Sequence, residues 1–514
     1  MDALAVIEED FREFPHIRRP TLVQEDLFRS VLKDGKDVFL KEKTGRGKTF
    51  ALALIAISRA YKIRSKRLKA ARKPSRNPSS HDNDRSPAVL LLLPHAALVG
   101  QVSGWISRIE SALSSEHLGG EGPLAEIVIS GDKPKTSRKA TPEILISTPD
   151  ALISYLEASS PTDRTRHTRK TVTPAMSPSS LSRPLQLIVS DEIDAMLRPL
   201  PGRFKTFTSE RERQRHPFFR HPPAIVRLLE DILRLGEMQT ASRTLQTVWS
   251  SATLNSVVRG FVQRSRWIRK EAQIVIDTTA TTESTIQHPS GGLPEGGQAA
   301  SLDGTIHYCL TIDPLTGNMR NLGAIAPDTI SEYVEPDPND PAFKERIHPL
   351  MIENLALLGA IRNPRDGKGY SLAIVPDGTS ISKLQDALSA LGTSSMIVDG
   401  INEPEEGALL LVTRSHVRGL DIPNIKTVYL LNGLDITSMS KASRSAGGME
   451  ERKREYTHFA GRMKRLGAVE EKPVQYSMVN LVMQGSAEEG ALRGMLADKP
   501  ELEVRRFEGT GIDV

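Results

Sequence analysis

The sequence predicts an α/β protein with two parallel β-sheets, each flanked by helices. Its apolar runs are short, continuous and rich in Val, Ile and Leu, which is typical of strands buried on both faces. Eight such runs cover residues 37–40, 88–94, 143–147, 185–189, 246–251, 371–375, 408–412 and 427–431. Helical periodicity follows several of the runs, and this alternation of strand and helix predicts βαβ units in a parallel sheet.

Polar segments interrupt this pattern and suggest the domain limits. Residues 65–87, 159–184 and 203–223 are charged or rich in Ser, Thr and Pro, and they are predicted to be surface loops. Residues 278–301 lack apolar periodicity and end in a Gly/Pro cluster, which is typical of a linker. The predicted organisation is an N-terminal domain over residues 1–278, a linker over 279–302 and a C-terminal domain over 303–514.

The composition narrows the class of protein. The 514 residues include one cysteine, Cys309, which excludes an internal disulfide framework, argues against a cysteine-based zinc site and fits a reducing compartment. No apolar run approaches the ~18 residues that a membrane span needs, so no membrane partner is expected.

The acidic N-terminus resembles neither a secretory signal nor a transit peptide, so an intracellular location is expected, with mitochondrial and nuclear compartments left open. The net charge of +5 permits a polyanionic partner.

Residues 37–57 have the pattern of a strand, a glycine-rich turn and a helix. Gly45, Gly47, Lys48 and Thr49 form the end of a phosphate-binding loop. Such glycines turn backbone N–H groups towards phosphate oxygens, the lysine reaches the β and γ phosphates, and the threonine hydroxyl can ligate Mg²⁺. Glu42 stands where the full pattern has a small residue, so a turn without phosphate is the alternative.

Three carboxylates follow the apolar run 185–189 directly. Asp191, Glu192 and Asp194 lie in the stretch VSDEIDAML. Taken alone, the stretch is either a metal and water site at a strand end or an acidic helix start that complements the helix dipole.

The order of these and further motifs resembles the DEAD-box RNA helicases, superfamily 2 ATPases with two RecA-like domains, from about residue 20 to 467. In the first half the motifs are PTLVQ (20–24), TGRGKT (44–49), PHAALVGQV (94–102), SGD (130–132), STPDAL (147–152), SDEIDAML (190–197) and SSATL (250–254). In the second half they are SLAIVPDG (371–378), VTRSHVRGLDIPNI (412–425) and YTHFAGRMKR (456–465). The resemblance implies a tandem RecA-like fold, with ATP and Mg²⁺ as cofactors.

The resemblance also implies a role for each site residue. The implied ATP-binding residues are Gln24 at the adenine, Asp421 at the ribose, and Thr44, Gly45, Arg46, Gly47, Lys48 and Thr49 at the phosphates. Mg²⁺ would be held by Thr49 and, through water, by Asp191. The implied catalytic residues are Lys48, Asp191, Glu192, Arg462 and Arg465, of which Glu192 would activate water and Arg465 would be the arginine finger. Asp194 would bond to Ser251 or Thr253 and couple the ATP site to the interdomain cleft.

RNA contacts in this family go mainly to the sugar-phosphate backbone. The positions implied here are Pro94, Gly131, Thr148, Pro149, Thr413 and Arg418. Alternatives exist, because Pro149 could simply end a strand and Thr413 could be a buried β-branched filler. The basic run 66–76 either adds salt-dependent RNA affinity or is a solvated loop.

The chain departs from the family pattern at several positions. His95, Ala96 and Ala97 replace Thr-Arg-Glu, Asp150 and Ala151 replace Gly-Arg, Arg414 replaces an acid, and Phe459 replaces the first arginine of the last motif. The segment between 396 and 412 also lacks the family's Gln-x-x-Arg helix. The RNA-facing positions depart more than the ATP-facing ones.

Three functions are therefore considered. The first is an ATP-dependent RNA helicase or RNA-remodelling ATPase, with RNA and ribonucleoprotein or ribosomal assembly partners. The second is a catalytically weak or inactive RNA-binding clamp or assembly factor with the helicase fold. The third is a different P-loop enzyme that acts on DNA.

Overall fold

A computed structural model shows two compact units, residues 1–287 and 288–514. The structure describes residues 20–42, 46–71, 87–112, 123–129, 142–159, 185–197, 217–239, 245–277, 305–322, 347–362, 369–398, 407–417, 422, 425–432, 456, 459, 476–497 and 504–507. In these ranges no helix combines the length and the apolar character needed to cross a membrane. The predicted linker 279–302 lies outside the described residues, so the domain limits stay predictions.

The first unit is built on a seven-stranded parallel sheet. Its strands are β1 (Asp37–Lys41), β2 (Val89–Leu92), β3 (Ala125–Val128), β4 (Ile144–Ser147), β5 (Leu187–Ser190), β6 (Gln246–Ser251) and β7 (Gln273–Asp277). They are ordered β3-β4-β2-β5-β6-β1-β7, and every pairing is parallel. All carboxyl ends therefore meet at one edge, where ligands bind in open α/β sheets.

Helices cover both faces of this sheet. They are α1 (Leu22–Phe28, followed by a π-helical turn, Arg29–Lys33), α2 (Lys48–Ala71), α3 (Ala96–Ala112), α4 (Pro149–Ser159), α5 (Ile193–Met196), α6 (Pro217–Arg220), α7 (Ala224–Gln239) and α8 (Ser256–Arg264). Val38 and Leu40 of β1 pack into a core cluster with α1, α2 and α3, whereas Phe39 packs with α4, α7 and α8. The packing alternates because successive side chains of a strand point to opposite faces of the sheet. Burial on both faces explains the continuous apolar runs.

The second unit repeats the architecture. Its strands are β8 (Thr305–Ile312), β9 (Met319–Asn321), β10 (Tyr370–Val375), β11 (Ser395–Ile397), β12 (Leu409–Thr413), β13 (Ile425–Leu431) and β14 (Tyr476–Met483), ordered β11-β12-β10-β13-β14-β8-β9. Only the edge strand β9 is antiparallel to its neighbour among the described pairings. The described helices are α9 (Pro349–Arg362), α10 (Ile381–Ala390) and α11 (Ala487–Ala497).

The predicted fold class is confirmed, and each of the eight apolar runs overlaps a strand. Two of the predicted loops need correction. Residues 65–71 continue α2, because Lys, Arg, Leu and Ala are good helix formers and Arg64 anchors the helix through a 2.6 Å ion pair with Glu143. Residues 217–220 form α6, in which Phe218 is buried edge-on against Phe261.

Candidate active site

The phosphate loop joins β1 to α2 at the carboxyl edge of the first sheet. Gly47 has a φ of +73°, a left-handed conformation that favours glycine. The buried Lys48 begins α2, and its Nζ donates a hydrogen bond of 2.8 Å to the carbonyl oxygen of Glu42. The lysine ammonium is therefore held beside the loop by a backbone oxygen, a contact that a phosphate oxygen can replace. The predicted Thr44 and Gly45 lie outside the described residues, and Arg46 is exposed.

Gln24 links the start of the chain's first described helix to this loop. Its backbone N–H and side-chain oxygen form a reciprocal capping box with Thr21. Its amide Nε2 donates to the Gly47 carbonyl at 3.1 Å, and a Cβ at Gly47 would lie 2.7 Å from that nitrogen. The left-handed φ therefore favours glycine here, and a side chain at this position would also require the Gln24 amide to shift. This hydrogen bond places Gln24 beside the loop, while adenine binding by Gln24 stays a prediction.

Asp191 and Thr49 bring two oxygen ligands together. Asp191 follows β5, is fully buried, and accepts a 2.6 Å hydrogen bond on Oδ2 from the Thr49 hydroxyl. Within the described ranges no group of three or more His, Cys, Asp and Glu side chains could hold a metal ion alone. Mg²⁺ is commonly bound by one or two protein oxygens together with substrate phosphates and water. The hard oxygen pair beside the phosphate loop therefore fits Mg²⁺.

Glu192 occupies a strained backbone position next to Asp191, a predicted metal ligand. Its φ of 51° and ψ of 45° are left-handed, which is uncommon for a residue with a side chain. Its N–H donates to Asp191 Oδ1 at 3.0 Å, and the residue is 2% exposed. This turn places the second carboxylate directly after the first at the same sheet edge. The following Ile193 is fully buried and fills space in the core between the sheet and the helices on this face.

Asp194 joins the carboxyl ends of β5 and β6. Its Oδ1 accepts a hydrogen bond of 2.5 Å from Ser251 Oγ, and its Oδ2 accepts one from Thr253 Oγ1. The Thr253 N–H also donates to Ser251 Oγ at 3.0 Å, so the three residues form one network. The predicted pairing of Asp194 with Ser251 or Thr253 is present with both partners.

Three described residues of the first unit that were predicted to face RNA lie after the neighbouring strands β2 and β4. Pro94 is half-buried beyond β2. Thr148 caps α4 through a 3.3 Å bond from the Ala151 N–H, and Pro149 occupies its first turn, where a missing N–H costs nothing. Pro149 thus begins a helix as well as following a strand. His95 Nδ1 accepts from the Leu98 N–H at 3.2 Å at the start of α3.

In the second unit the predicted sites are only partly described. Thr413 ends β12, is buried, and its hydroxyl shares a 2.5 Å hydrogen bond with His416 Nδ1. The Ser415 N–H donates to Asp377 after β10 at 2.9 Å, so the two strand ends are linked. Gly131, Arg418, Asp421, Arg462 and Arg465 lie outside the described residues, and their predicted roles are untested.

A buried polar network near the last motif was missed by sequence reasoning. The Tyr456 hydroxyl is 2.8 Å from His307 Nδ1 and accepts a 3.0 Å bond from Asn480 Nδ2. Burial raises the pKa of Tyr456, and it raises the pKa of the Cys309 thiol to about 12. Both groups therefore stay protonated at neutral pH. No motif marks His307 or Asn480, and only polar residues within apolar strands could have indicated them.

The first unit, which contains these residues, is similar to a known protein family. Residues 21–261 match the family model of the DEAD/DEAH box helicases. The DEAD-box ATP-dependent RNA helicase 16 of Arabidopsis thaliana is 24% identical over 181 residues, which are 35% of this chain and 24% of that protein. The chain thus matches about a quarter of this relative's length.

Two solved structures share the fold over nearly the whole chain. S. cerevisiae Dbp5 bound to RNA and ADP BeF3 has a TM-score of 0.52 at 15% identity, and the match covers 98% of this chain and 93% of that one. Mss116p bound to ssRNA and AMP-PNP has a TM-score of 0.54 at 16% identity, covering 99% and 78%. Residues 21–261 of this protein therefore match a DEAD/DEAH box helicase domain, and the chain has the tandem RecA-like fold of DEAD-box helicase structures.

Proposed function

We propose that this protein is an RNA-dependent ATPase that remodels RNA, hydrolysing ATP with RNA bound across its two RecA-like domains. One observation carries the proposal: Lys48, Thr49, Asp191 and Glu192 lie at one sheet edge, with Thr49 bonded to Asp191. The helicase family of residues 21–261 and the helicase name of the plant relative support it.

The first unit supplies the phosphate site. The N-terminus of α2 and the loop N–H groups would bind the anionic phosphates, because unsatisfied N–H groups and the helix dipole favour negative charge. Lys48 would exchange the Glu42 carbonyl for a phosphate oxygen. Bound Mg²⁺, held by Thr49 and through water by Asp191, would neutralise phosphate charge.

Hydrolysis needs an oriented water and stabilisation of developing charge rather than a covalent intermediate. Glu192 would accept the water proton. Arg462 and Arg465 would stabilise the charge on the transferring phosphoryl group, and Asp421 would contact the ribose. Asp194 would transmit the nucleotide state through Ser251 and Thr253.

Turnover of ATP tests the proposal directly. Purified full-length protein is expected to release phosphate from ATP, and single-stranded RNA is expected to increase the rate. A Glu192→Gln variant gives the background rate of phosphate release. Wild-type turnover no faster than that background, with and without RNA, contradicts the enzyme proposal.

A nucleotide-held RNA clamp is the second candidate, and Glu42 favours it. This carboxylate is buried beside the phosphate loop, where an anionic ligand must bind. The same preparation can be tested for release of a short RNA duplex. Rapid ATP turnover with duplex release supports remodelling, whereas RNA retention without turnover supports the clamp.

The charge on Glu42 is expected to weaken ATP binding. A Glu42→Gln variant keeps the side-chain volume and removes the negative charge, so it should bind a non-hydrolysable ATP analogue about tenfold more tightly, or on the order of 1.4 kcal/mol. Titration calorimetry measures the change. Asp34→Asn removes an exposed carboxylate elsewhere in the unit and should leave affinity unchanged. Weaker binding in Glu42→Gln would instead indicate that Glu42 holds the loop.

The lysine stripe of α2, defined as Lys62, Lys66 and Lys69, is expected to add RNA affinity. These side chains are exposed, and their spacing of four and three residues places them on one face. No acidic residue lies in α2 to neutralise them. Replacing all three by Gln should lower the salt slope of single-stranded RNA binding by about 2, because each released counterion contributes ~0.7.

A charge-matched control separates the stripe from net charge. The exposed residues Lys33, Lys270 and Lys383 are scattered over the two units, and their triple replacement by Gln removes the same charge. Fluorescence anisotropy over a range of KCl concentrations gives both slopes. Equal slopes for the two triple variants would show that the stripe is only a solvated face.

A further inference from the structure

Two serines near the carboxyl edge of the first sheet carry buried hydroxyls that the proposed mechanism does not use. Ser190 is the last residue of β5 and Ser250 is the penultimate residue of β6, and both are fully buried. Among the residues that the structure describes, neither Oγ atom has a hydrogen-bond partner. A buried hydroxyl without a partner costs free energy, and a ligand that supplies the partner is one reason for a protein to keep it.

The Ser250 hydroxyl lies on the face of the sheet that α2 covers. Successive side chains of a strand point to opposite faces. In β6, Gln246 bonds to Arg59 of α2, and Val248 packs into the core cluster beneath that helix. Trp249 packs into the cluster on the other face. Ser250, the next residue in the alternation, therefore points towards α2.

This position is beside the proposed metal and phosphate site. β6 lies between β5 and β1, so Ser250 has the carboxyl end of β5 on one side and the strand that leads into the phosphate loop on the other. The β5–β6 register, continued by one residue, places Asp191 level with Ser250 on a strand about 4.8 Å away. Asp191 also faces α2, because its Oδ2 accepts a hydrogen bond from Thr49 in the first turn of that helix.

A serine hydroxyl suits one particular ligand at this place. Mg²⁺ keeps several waters when proteins bind it together with phosphates, and those waters need hydrogen-bond acceptors. Phosphate oxygens need donors instead, which Lys48, the loop N–H groups and the N-terminus of α2 would supply. The Ser250 Oγ has two lone pairs and can accept a hydrogen bond from a water that Asp191 alone would leave partly unsatisfied.

We propose that Ser250 is a positioning residue of the nucleotide site, whose Oγ accepts a hydrogen bond from a water of the Mg²⁺ shell beside Asp191. The inference rests on the proposed function, because it needs Mg²⁺ bound together with a nucleotide. The hydroxyl gains its partner on loading, so Ser250 favours the Mg²⁺–nucleotide state over the empty one.

Binding of nucleotide with and without Mg²⁺ tests the proposal. In excess Mg²⁺, Ser250→Ala should bind a non-hydrolysable ATP analogue about three- to tenfold more weakly than the wild-type protein, the usual contribution of one hydrogen bond. In EDTA the two proteins should bind the analogue equally. Ser250→Cys keeps the side chain close to its original shape but has a weak acceptor, so it should behave like Ser250→Ala and exclude a cavity as the cause.

Ser190 provides a matched control on the opposite face of the sheet. Leu187 and Val189 of β5 pack into the cluster beneath α2, whereas Ile188 packs into the other cluster, so the Ser190 hydroxyl points away from α2. Ser190→Ala should leave the Mg²⁺ dependence of analogue binding unchanged.

The melting temperature of the nucleotide-free protein gives a second readout with the opposite sign. Ser190→Ala and Ser250→Ala should each raise it by about 2–4 °C, because each removes a buried hydroxyl that has no partner within the described residues. Mg²⁺ with the analogue should then stabilise Ser250→Ala less than the wild-type protein. A lower melting temperature for nucleotide-free Ser250→Ala would show that the hydroxyl already has a partner in the empty protein, and would overturn the inference.

The binding outcomes separate this inference from the proposed function. Equal affinity of the wild-type protein and Ser250→Ala in Mg²⁺, an equal loss in Mg²⁺ and in EDTA, or the same loss in Ser190→Ala overturns the role of Ser250 at the metal. A wild-type protein that shows no Mg²⁺-dependent binding overturns both proposals. A wild-type protein that binds the analogue with Mg²⁺ but does not hydrolyse ATP contradicts the proposed enzyme alone, and the Ser250→Ala comparison still decides the inference.

Discussion

The Glu192→Gln variant is expected to bind ATP like the wild-type protein and to hydrolyse it about 10²–10⁴ times more slowly, the usual contribution of a general base. The substitution keeps the length of the side chain and its acceptor oxygen, so the left-handed turn at φ 51° should survive. It removes the only function that the proposed mechanism requires of this residue, which is acceptance of the water proton. The Asp191 and Thr49 contact does not involve the Glu192 side chain and should stay intact.

Single-turnover phosphate release measures the chemical step separately from product release. Titration with an ATP analogue checks that affinity is preserved. Glu157→Gln changes an exposed carboxylate on α4 of the same unit and should turn over normally. If the Glu192→Gln variant hydrolyses ATP within about threefold of the wild-type rate, Glu192 is not the general base, because removal of a general base lowers the rate much more than threefold.

The fold was predictable where strands are buried on both faces. Strands such as β5 and β12 are continuous apolar runs because helices cover them on each side. Strands β3 and β7 were not predicted, because they lie at the two edges of the first sheet and are not buried on both faces. Each has an exposed apolar residue, Ile127 in β3 and Val275 in β7, and each is too short for its alternation of buried and exposed residues to predict a strand.

Two central strands were missed for a different reason. β8 contains His307 and β14 contains Asn480, and both polar side chains are buried. Sequence reasoning treats such residues as breaks in an apolar run. Their cost of burial is offset by hydrogen bonds to Tyr456, a partner at least 24 residues away in sequence. Partners this distant appear only once the chain is folded.

The candidate site was predictable in its residues but not in its geometry. The order of the motifs identified Thr49, Asp191 and Asp194, and the structure joins Thr49 to Asp191 and joins Asp194 to its predicted partner Ser251. The hydrogen bond from Lys48 to Glu42 and the contact of Arg414 with Phe459 involve positions that depart from the motif pattern. A motif pattern records such residues only as mismatches, because it carries no information about their contacts in the folded chain.

Replacing Asp194 by Ala is expected to abolish most of the RNA stimulation of ATP turnover, with a loss of about tenfold or more. The carboxylate accepts two hydrogen bonds, from Ser251 and Thr253, and its removal leaves both hydroxyls beside a cavity at a cost of about 1–3 kcal/mol each. The carboxyl ends of β5 and β6 would then lose the hydrogen bonds that link them beside the proposed nucleotide site. ATP affinity should change less than about threefold, because these two hydrogen bonds join Asp194 to residues at the end of β6 and beyond it.

Combination of variants shows whether the three residues act as one unit. Ser251→Ala with Thr253→Val removes the two donors, and adding Asp194→Ala to this pair should cause little further loss of stimulation. Residues in one hydrogen-bond network are non-additive, whereas independent residues add within about 0.5 kcal/mol. Phosphate release is measured against RNA concentration for every variant. Full additivity would show that Asp194 supports β5 and β6 without coupling RNA to hydrolysis, and that the hydroxyls contribute through contacts of their own.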